Sequence, residues 1–354
     1  MKKLLASLLA LSLVLTGCGS SGGDSKSGYE IALITDAGNI NDKSFNQSAW
    51  EAVEKFADEN KITKKYYKPA NFDTAGYSDS IDEAVDNGAK VIVTPGFKFS
   101  DAMQEKQSQY PDVKFIMIDA TPTGDKIESN VYAALYAEQE PGYLAGYAAV
   151  KDGYTKLGFM GGMKLPAVIR FGYGFIQGAS DAAKEMNVKV EIKYNYTGSF
   201  NESPEIKTLS SAWYQDGTEV IFACGGSICL SVFSAAQEAN AKSIGVDSDQ
   251  KDASETVITS AMKGVYNTVY DQLGKIFADT PTFEGGKVDT LTAEGGYVGL
   301  PDDFSRFKQF TKEDYEAIFA KVKSGEVKIL NDEEVGTDPT TLNNEFVTVT
   351  DVSK

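Results

Sequence analysis

Histidine is absent from all 354 residues of the chain. That removes the side chain most often used as a general base and as a metal ligand. Cysteine is scarce, with three copies, and Cys224 and Cys229 in "CGGSIC" lack the spacing of a zinc site. These two read either as a disulfide of a protein outside the cytoplasm or as two small buried apolar side chains beside a helix start. Basic charge is also in deficit. Lys and Arg number 34 against 51 Asp and Glu, a net charge of −17. Nucleic acid demands a basic face, so it is excluded as a partner, and so is electrostatic adhesion to an anionic membrane. "GFMGG" carries neither G-x-G-x-x-G nor GK[ST], which argues against a nucleotide-phosphate site. No strand ends in a nucleophile elbow, and a hydrolase is disfavoured.

Long apolar runs are lacking too, except at the start. Lys2 and Lys3 precede "LLASLLALSLVL", which is too short to span a bilayer as a stable helix. "LTGC" follows, ending at Cys18, with an apolar residue and two small ones before the cysteine. This is the pattern of a bacterial lipoprotein signal, with residues 1–17 removed and a lipid carried on the Cys18 thiol. Residues 18–28, rich in Gly and Ser, then form a flexible tether. A soluble domain leashed to a membrane surface is expected.

What is present is an alternation. "YEIALITD", "AKVIVTPG" and "VKFIMIDA" are strand-like, and the last two are nearly continuous apolar runs suited to burial on both faces. Between them lie helical patterns: Phe45, Ala49, Ala52, Val53 and Phe56 recur at helical spacing, and Ser100 is expected to cap the helix of "SDAMQEKQSQYP". A second round begins at "TKLGFMGG" and runs to "TVITSAM". Alternating strands and helices imply βαβ units, so the fold class is α/β with two doubly wound parallel-sheet lobes. Such sheets bind ligands at the carboxyl ends of their strands.

The strand-end loops therefore name the candidates. "DAGNINDKSFN" supplies Asp36, Asn41, Asp42, Phe45 and Asn46. Asn and Asp here also suit turns and caps, and Phe45 also suits the first core position of its helix. Phe200, in "TGSFNES", has polar neighbours and no apolar stripe to join. Two Phe rings from opposite lobes would clamp a flat heteroaromatic ring. Asp119 and Asp247 would accept hydrogen bonds from ring N–H or sugar hydroxyl groups. Gly225 and Gly226 would allow close backbone approach, and Lys263 would donate to a sugar oxygen. Acidic loops repel phosphate, so a neutral nucleoside suits them better than a nucleotide.

"ALITDAGNINDKSFNQSAWEAVEKF", "VIVTPGFKFSDAM", "EQEPGYLAGYAA" and "GFMGGMKLPAVIRFGYGFIQG" resemble the basic membrane protein family of substrate-binding lipoproteins. That family is similar to the purine nucleoside receptors of ABC importers. The resemblance implies a type I periplasmic-binding-protein fold, two lobes joined by a three-crossover hinge. By analogy, lobe one holds residues 29–135 and 260–292, and lobe two holds 136–259 and 293–354. It implies a nucleoside, and for preference a purine, between Phe45 and Phe200. Asp36, Asn41 and Asp119 would lie at the base, Gly225, Asp247 and Lys263 at the ribose, and Asn46 would touch either. The implied partners are the nucleoside, the permease subunits of the importer and, through Cys18, the membrane, for a monomer that needs no cofactor and catalyses no reaction. A flavin, a sugar or a signalling role stand as the alternatives.

Overall fold

The structure is a computed structural model that describes residues 29–124 and 126–352; the signal, Cys18 and the tether lie outside the described residues. Among the described residues, thirteen strands fall into two sheets. The first takes β1 (Ile31–Ile34), β2 (Lys64–Tyr67), β3 (Val91–Pro95), β4 (Lys114–Ile118), β5 (Val131–Tyr136) and β11 (Lys287–Leu291), in the order β11-β5-β4-β3-β1-β2, all parallel. The second takes β6 (Lys156–Gly161), β7 (Val190–Tyr196), β8 (Val220–Cys224), β9 (Lys242–Asp247), β10 (Val257–Lys263), β12 (Val298–Gly299) and β13 (Val347–Asp351), in the order β12-β10-β9-β8-β6-β7-β13. In that sheet only β12 is antiparallel to its neighbour.

Helices α1 (Phe45–Asn60), α2 (Thr74–Asp86), α3 (Ser100–Gln109) and α8 (Val265–Phe277) cover the first sheet. Helices α4 (Gln139–Lys151), α5 (Pro166–Met186), α6 (Pro204–Gln215), α7 (Ile228–Ala239), α9 (Lys312–Lys323) and the short α10 (Asp332–Val335) go with the second. Local chemistry sets their ends. Asp73 caps α2 by accepting from the Gly76 N–H at 2.9 Å, and Ser203 caps α6, with Pro204 at its first turn. Ser100 does not cap α3. It is already helical, after one tight turn at Phe97–Phe99, and its hydroxyl donates to the Phe97 carbonyl at 2.9 Å. Helices α4 and α5 touch backbone to backbone: a Cβ added at Gly178 would meet the Tyr143 carbonyl oxygen at 1.9 Å. The glycines of "GYLAGYAA" and "FGYGFIQG" are thus packing residues.

The chain passes between the sheets three times, after β5, after β10 and between β11 and β12. The first passage follows Tyr136 and the second follows Lys263. Residues 260–263, expected in lobe one, instead finish β10, because that strand pairs with β9 as far as Met262. Tyr136, expected in lobe two, ends β5 of the first sheet. No described helix is long and apolar enough to cross a membrane.

Candidate functional site

The carboxyl ends of β1, β3 and β4 face those of β6, β8 and β9 across a cavity of about 640 Å³, counting its open mouth. Eight of the nine expected residues line it: Asp36, Phe45, Asn46, Asp119, Phe200, Gly225, Asp247 and Lys263. Asn41 does not. It is exposed, and its backbone N–H is turned onto the Asn39 side chain at 2.9 Å, so it serves the turn and not the cavity. Its neighbour Asp42 occupies the wall instead.

The wall from the first sheet is a closed polar circuit. Asp42 Oδ1 accepts from the Ser44 and Gln47 N–H groups, and Oδ2 from the Asn46 N–H and Nδ2, all at 2.9–3.1 Å. Asp42 therefore caps α1, work that a residue at the helix start would ordinarily do. Asn46 Nδ2 also donates to Asp36 Oδ1 at 3.0 Å, while its Oδ1 accepts from the Asp36 N–H. Both amide hydrogens of Asn46 are thus spent on carboxylates, and its task is to hold Asp36 and Asp42 in place. Burial pushes the Asp36 carboxyl up to about 6, against the lowering effect of the Gly38 and Asn46 hydrogen bonds.

On the opposite side the wall is mostly apolar side chains and glycine backbone. Phe200 lies over Gly162, where an added Cβ would come within 2.3 Å of its ring, and over Gly225. Cys224 and Cys229 are both unbonded and buried, and burial pushes both thiols up, so they act as small apolar fillers. Helix α5 adds Phe171 and, from its first turn, Pro166, Ala167 and Val168, with Leu165 just before it. Nothing in the sequence pattern separates these from an ordinary apolar stripe.

Lys263 is where the two walls meet. Its ammonium sits 2.5 Å from Asp119 Oδ2, 3.6 Å from Asp247 Oδ1 and 3.7 Å from Glu138 Oε1, with its side chain 2% exposed. It also stands 4.7 Å from the centre of the Phe45 ring. Burial alone would lower the affinity of Lys263 for its proton, but the carboxylates of Asp119, Asp247 and Glu138 outweigh it and hold the ammonium above its ordinary range. Asp119 and Asp247 share a backbone feature, φ of 59° and 65° at the ends of adjacent-to-centre strands in the two sheets. Non-glycine residues in this left-handed region are uncommon and cluster at functional sites. Asp247 Oδ2 accepts from the Ser44 hydroxyl across the cleft, and the Lys43 carbonyl accepts from Gln250 Nε2 at 2.7 Å and Ser248 Oγ at 3.1 Å. Asp119 Oδ1, by contrast, is buried with no hydrogen-bond partner. An acceptor in that condition costs about 1–3 kcal/mol unless a donor reaches it.

Comparison with known proteins gives a consistent result. Residues 30–333 match the Bmp family, described as "ABC transporter substrate-binding protein PnrA-like". The "ABC transporter nucleoside-binding protein BmpA" of Lactococcus lactis is 32% identical, over 85% of this chain and 92% of that protein. The "CD4+ T-cell-stimulating antigen" of Listeria innocua is 30% identical, over 92% and 96%. Among solved structures, an ABC transporter solute-binding protein of Aeropyrum pernix superposes with a TM-score of 0.77 at 25% identity, over 86% of this chain and 93% of that one.

Proposed function

Since this chain belongs to the Bmp family of PnrA-like ABC transporter substrate-binding proteins, a binding role and not a catalytic one, we propose that its cargo is a nucleoside, with purines preferred. The base lies between Phe45 and Phe200, Asp36 and Asp119 accept hydrogen bonds from its edge, and Gly225, Asp247 and Lys263 meet the ribose. The single observation that carries this reading is the unpartnered Asp119 Oδ1 in a cavity that Phe rings line from both sides, Phe45 and Phe97 from the first and Phe171 and Phe200 from the second. A neutral ligand with N–H and O–H donors satisfies that oxygen, whereas a phosphate would be repelled by the four aspartates of the lining. The name of the Lactococcus relative supports the same ligand class.

Around this core we place the remaining expectations. Cys18 carries a lipid, residues 18–28 leash a monomeric binding domain to the outer face of the cell membrane, and the closed form is read by the permease. The two sheets, each with its helices, move as lobes about the three passages, closing over ligand. Ligand extracted from freshly purified protein and identified by mass spectrometry tests the proposal. A nucleoside is the expected species; a flavin or a sugar would replace the ligand class while leaving the transport role.

A further inference from the structure

Glu138 does not line the cavity, yet it lies between the cavity and the passages that join the two sheets. It follows Ala137, whose N–H donates to the Leu291 carbonyl at 3.0 Å, so the first passage is tied to the end of β11. Two residues on, Glu140 accepts from the Ala293 N–H at 2.6 Å, which ties the start of α4 to the third passage. The second and third passages are tied in turn, Gly264 N–H to the Tyr297 carbonyl at 2.7 Å. Within this knot the Glu138 side chain is 2% exposed, and it touches two cations. Oε1 is 3.7 Å from Lys263 Nζ, and Oε2 is 3.8 Å from the Arg170 guanidinium. Arg170 is itself held from the far side by Asp332 at 2.7 Å and Glu333 at 2.8 Å, both on α10. Oε2 has no hydrogen-bond partner.

We infer that Glu138 is a positioning residue: its carboxylate, backed by Arg170, draws the Lys263 ammonium into the point where it bridges Asp119 and Asp247, and so couples occupation of the cavity to the geometry of the passages. Lys263 closes β10 and Glu138 opens α4, both on the second-sheet side, whereas Asp119 follows β4 of the first sheet. A shift of one sheet against the other therefore changes the Lys263–Asp119 separation, while Glu138 and Asp247 hold the ammonium from the second side. A buried cation between three carboxylates takes its position from all three, and removing the one farthest from ligand moves it toward the other two. The charged and titratable groups facing Glu138 are Lys263 at the end of β10, Arg170 on α5, Asp119 after β4 and Asp247 of β9. Lys263 stays charged throughout the neutral range. Burial, with Asp119 adding to it, pushes the Glu138 carboxyl up to about 8, so its charge changes where binding is measured.

The inference rests on the cavity being the ligand site, and adenosine is the probe because its base does not titrate near neutral pH. Wild-type affinity for adenosine should rise about fivefold between pH 6.5 and pH 9 as Glu138 ionises. Glu138→Gln, the neutral isostere, should bind about fivefold more weakly at pH 9 and show no rise across that range. A Glu138→Gln protein that keeps the wild-type profile would overturn the inference, since a merely structural role leaves the inflection with the other carboxylates. Arg170→Gln is the second probe, because it reaches Glu138 from outside the cavity and should move the inflection to higher pH. Should wild-type protein bind neither adenosine nor the other nucleosides, the ligand class fails, and the inference is then judged without ligand. A two-label distance measurement across the cleft should differ between wild type and Glu138→Gln, and identical distributions would contradict the coupling.

Discussion

The two walls of the cleft are built on opposite plans. On the first-sheet side, Asp36, Asp42 and Asn46 satisfy one another so fully that their positions are fixed before any ligand arrives. The second-sheet side presents glycine backbone and apolar side chains, with Phe200 resting on Gly162 and Gly225. Each wall contributes one aspartate in the left-handed conformation, but they are used differently. Asp247 is engaged across the cleft by Ser44, while Asp119 keeps an oxygen free. A rigid polar wall suits discrimination along the edge of a ligand; an apolar wall with the rings of Phe200 and Phe171 suits its face. Lys263 links the two and neutralises part of the charge that both bring.

The largest effect on this arrangement is expected from removing that link. Lys263→Met leaves Asp119, Asp247 and Glu138 buried without their cation, and breaking a buried ion pair in this way costs about 3–5 kcal/mol. Urea unfolding at pH 7 reads it, and adenosine binding should disappear with it.

Next comes the rigid wall alone. The Asp36 carboxyl is raised from 3.8 to about 6, so between those values the folded protein holds a proton that the unfolded chain has released. Stability from this group therefore falls as pH rises through that window, by about 3 kcal/mol for a shift of roughly two units. Asp36→Asn has no such dependence and can still accept from Gly38. It should match wild type near pH 4 and exceed it by up to about 3 kcal/mol at pH 7, in paired urea titrations. Equal stability at both pH values would mean that the folded protein does not hold the Asp36 proton through this window.

The two rings sharpen the comparison further. Phe45→Ala and Phe200→Ala should each weaken nucleoside binding by about 1–3 kcal/mol, the scale of base–aromatic stacking. Only Phe45→Ala should also lower the melting temperature appreciably, because Phe45 opens α1 and lies beneath Lys263. The smallest effect belongs to Asn41→Ala. An exposed turn residue outside the lining should change neither affinity nor stability by more than about 0.5 kcal/mol.

The sequence made the sheets legible where strands are continuous apolar runs, as in "AKVIVTPG" and "VKFIMIDA", because burial on both faces leaves no other composition. It concealed α4, whose residues from Pro141 to Val150 are buried all round and so carry no amphipathic period. It concealed β11 as well, since an edge strand with polar exposed side chains resembles a loop, and β12, which is only two residues long. In the site, charged and aromatic residues at strand ends were found by position alone. Asn46 was read as a ligand contact because no pattern reveals that a side-chain amide is already saturated. Asp42 and Asn41 are adjacent and similar, and only the helix cap separates them. Glu138 was missed because its partner Lys263 lies 125 residues away, on a strand of the other passage.

The most direct test is calorimetry on ligand-stripped protein with adenosine, guanosine, inosine and uridine. The account predicts saturable 1:1 heat with at least the purine nucleosides, lost in Lys263→Met and weakened in Phe200→Ala. No heat with any of the four, from protein shown to be folded and empty, would contradict it.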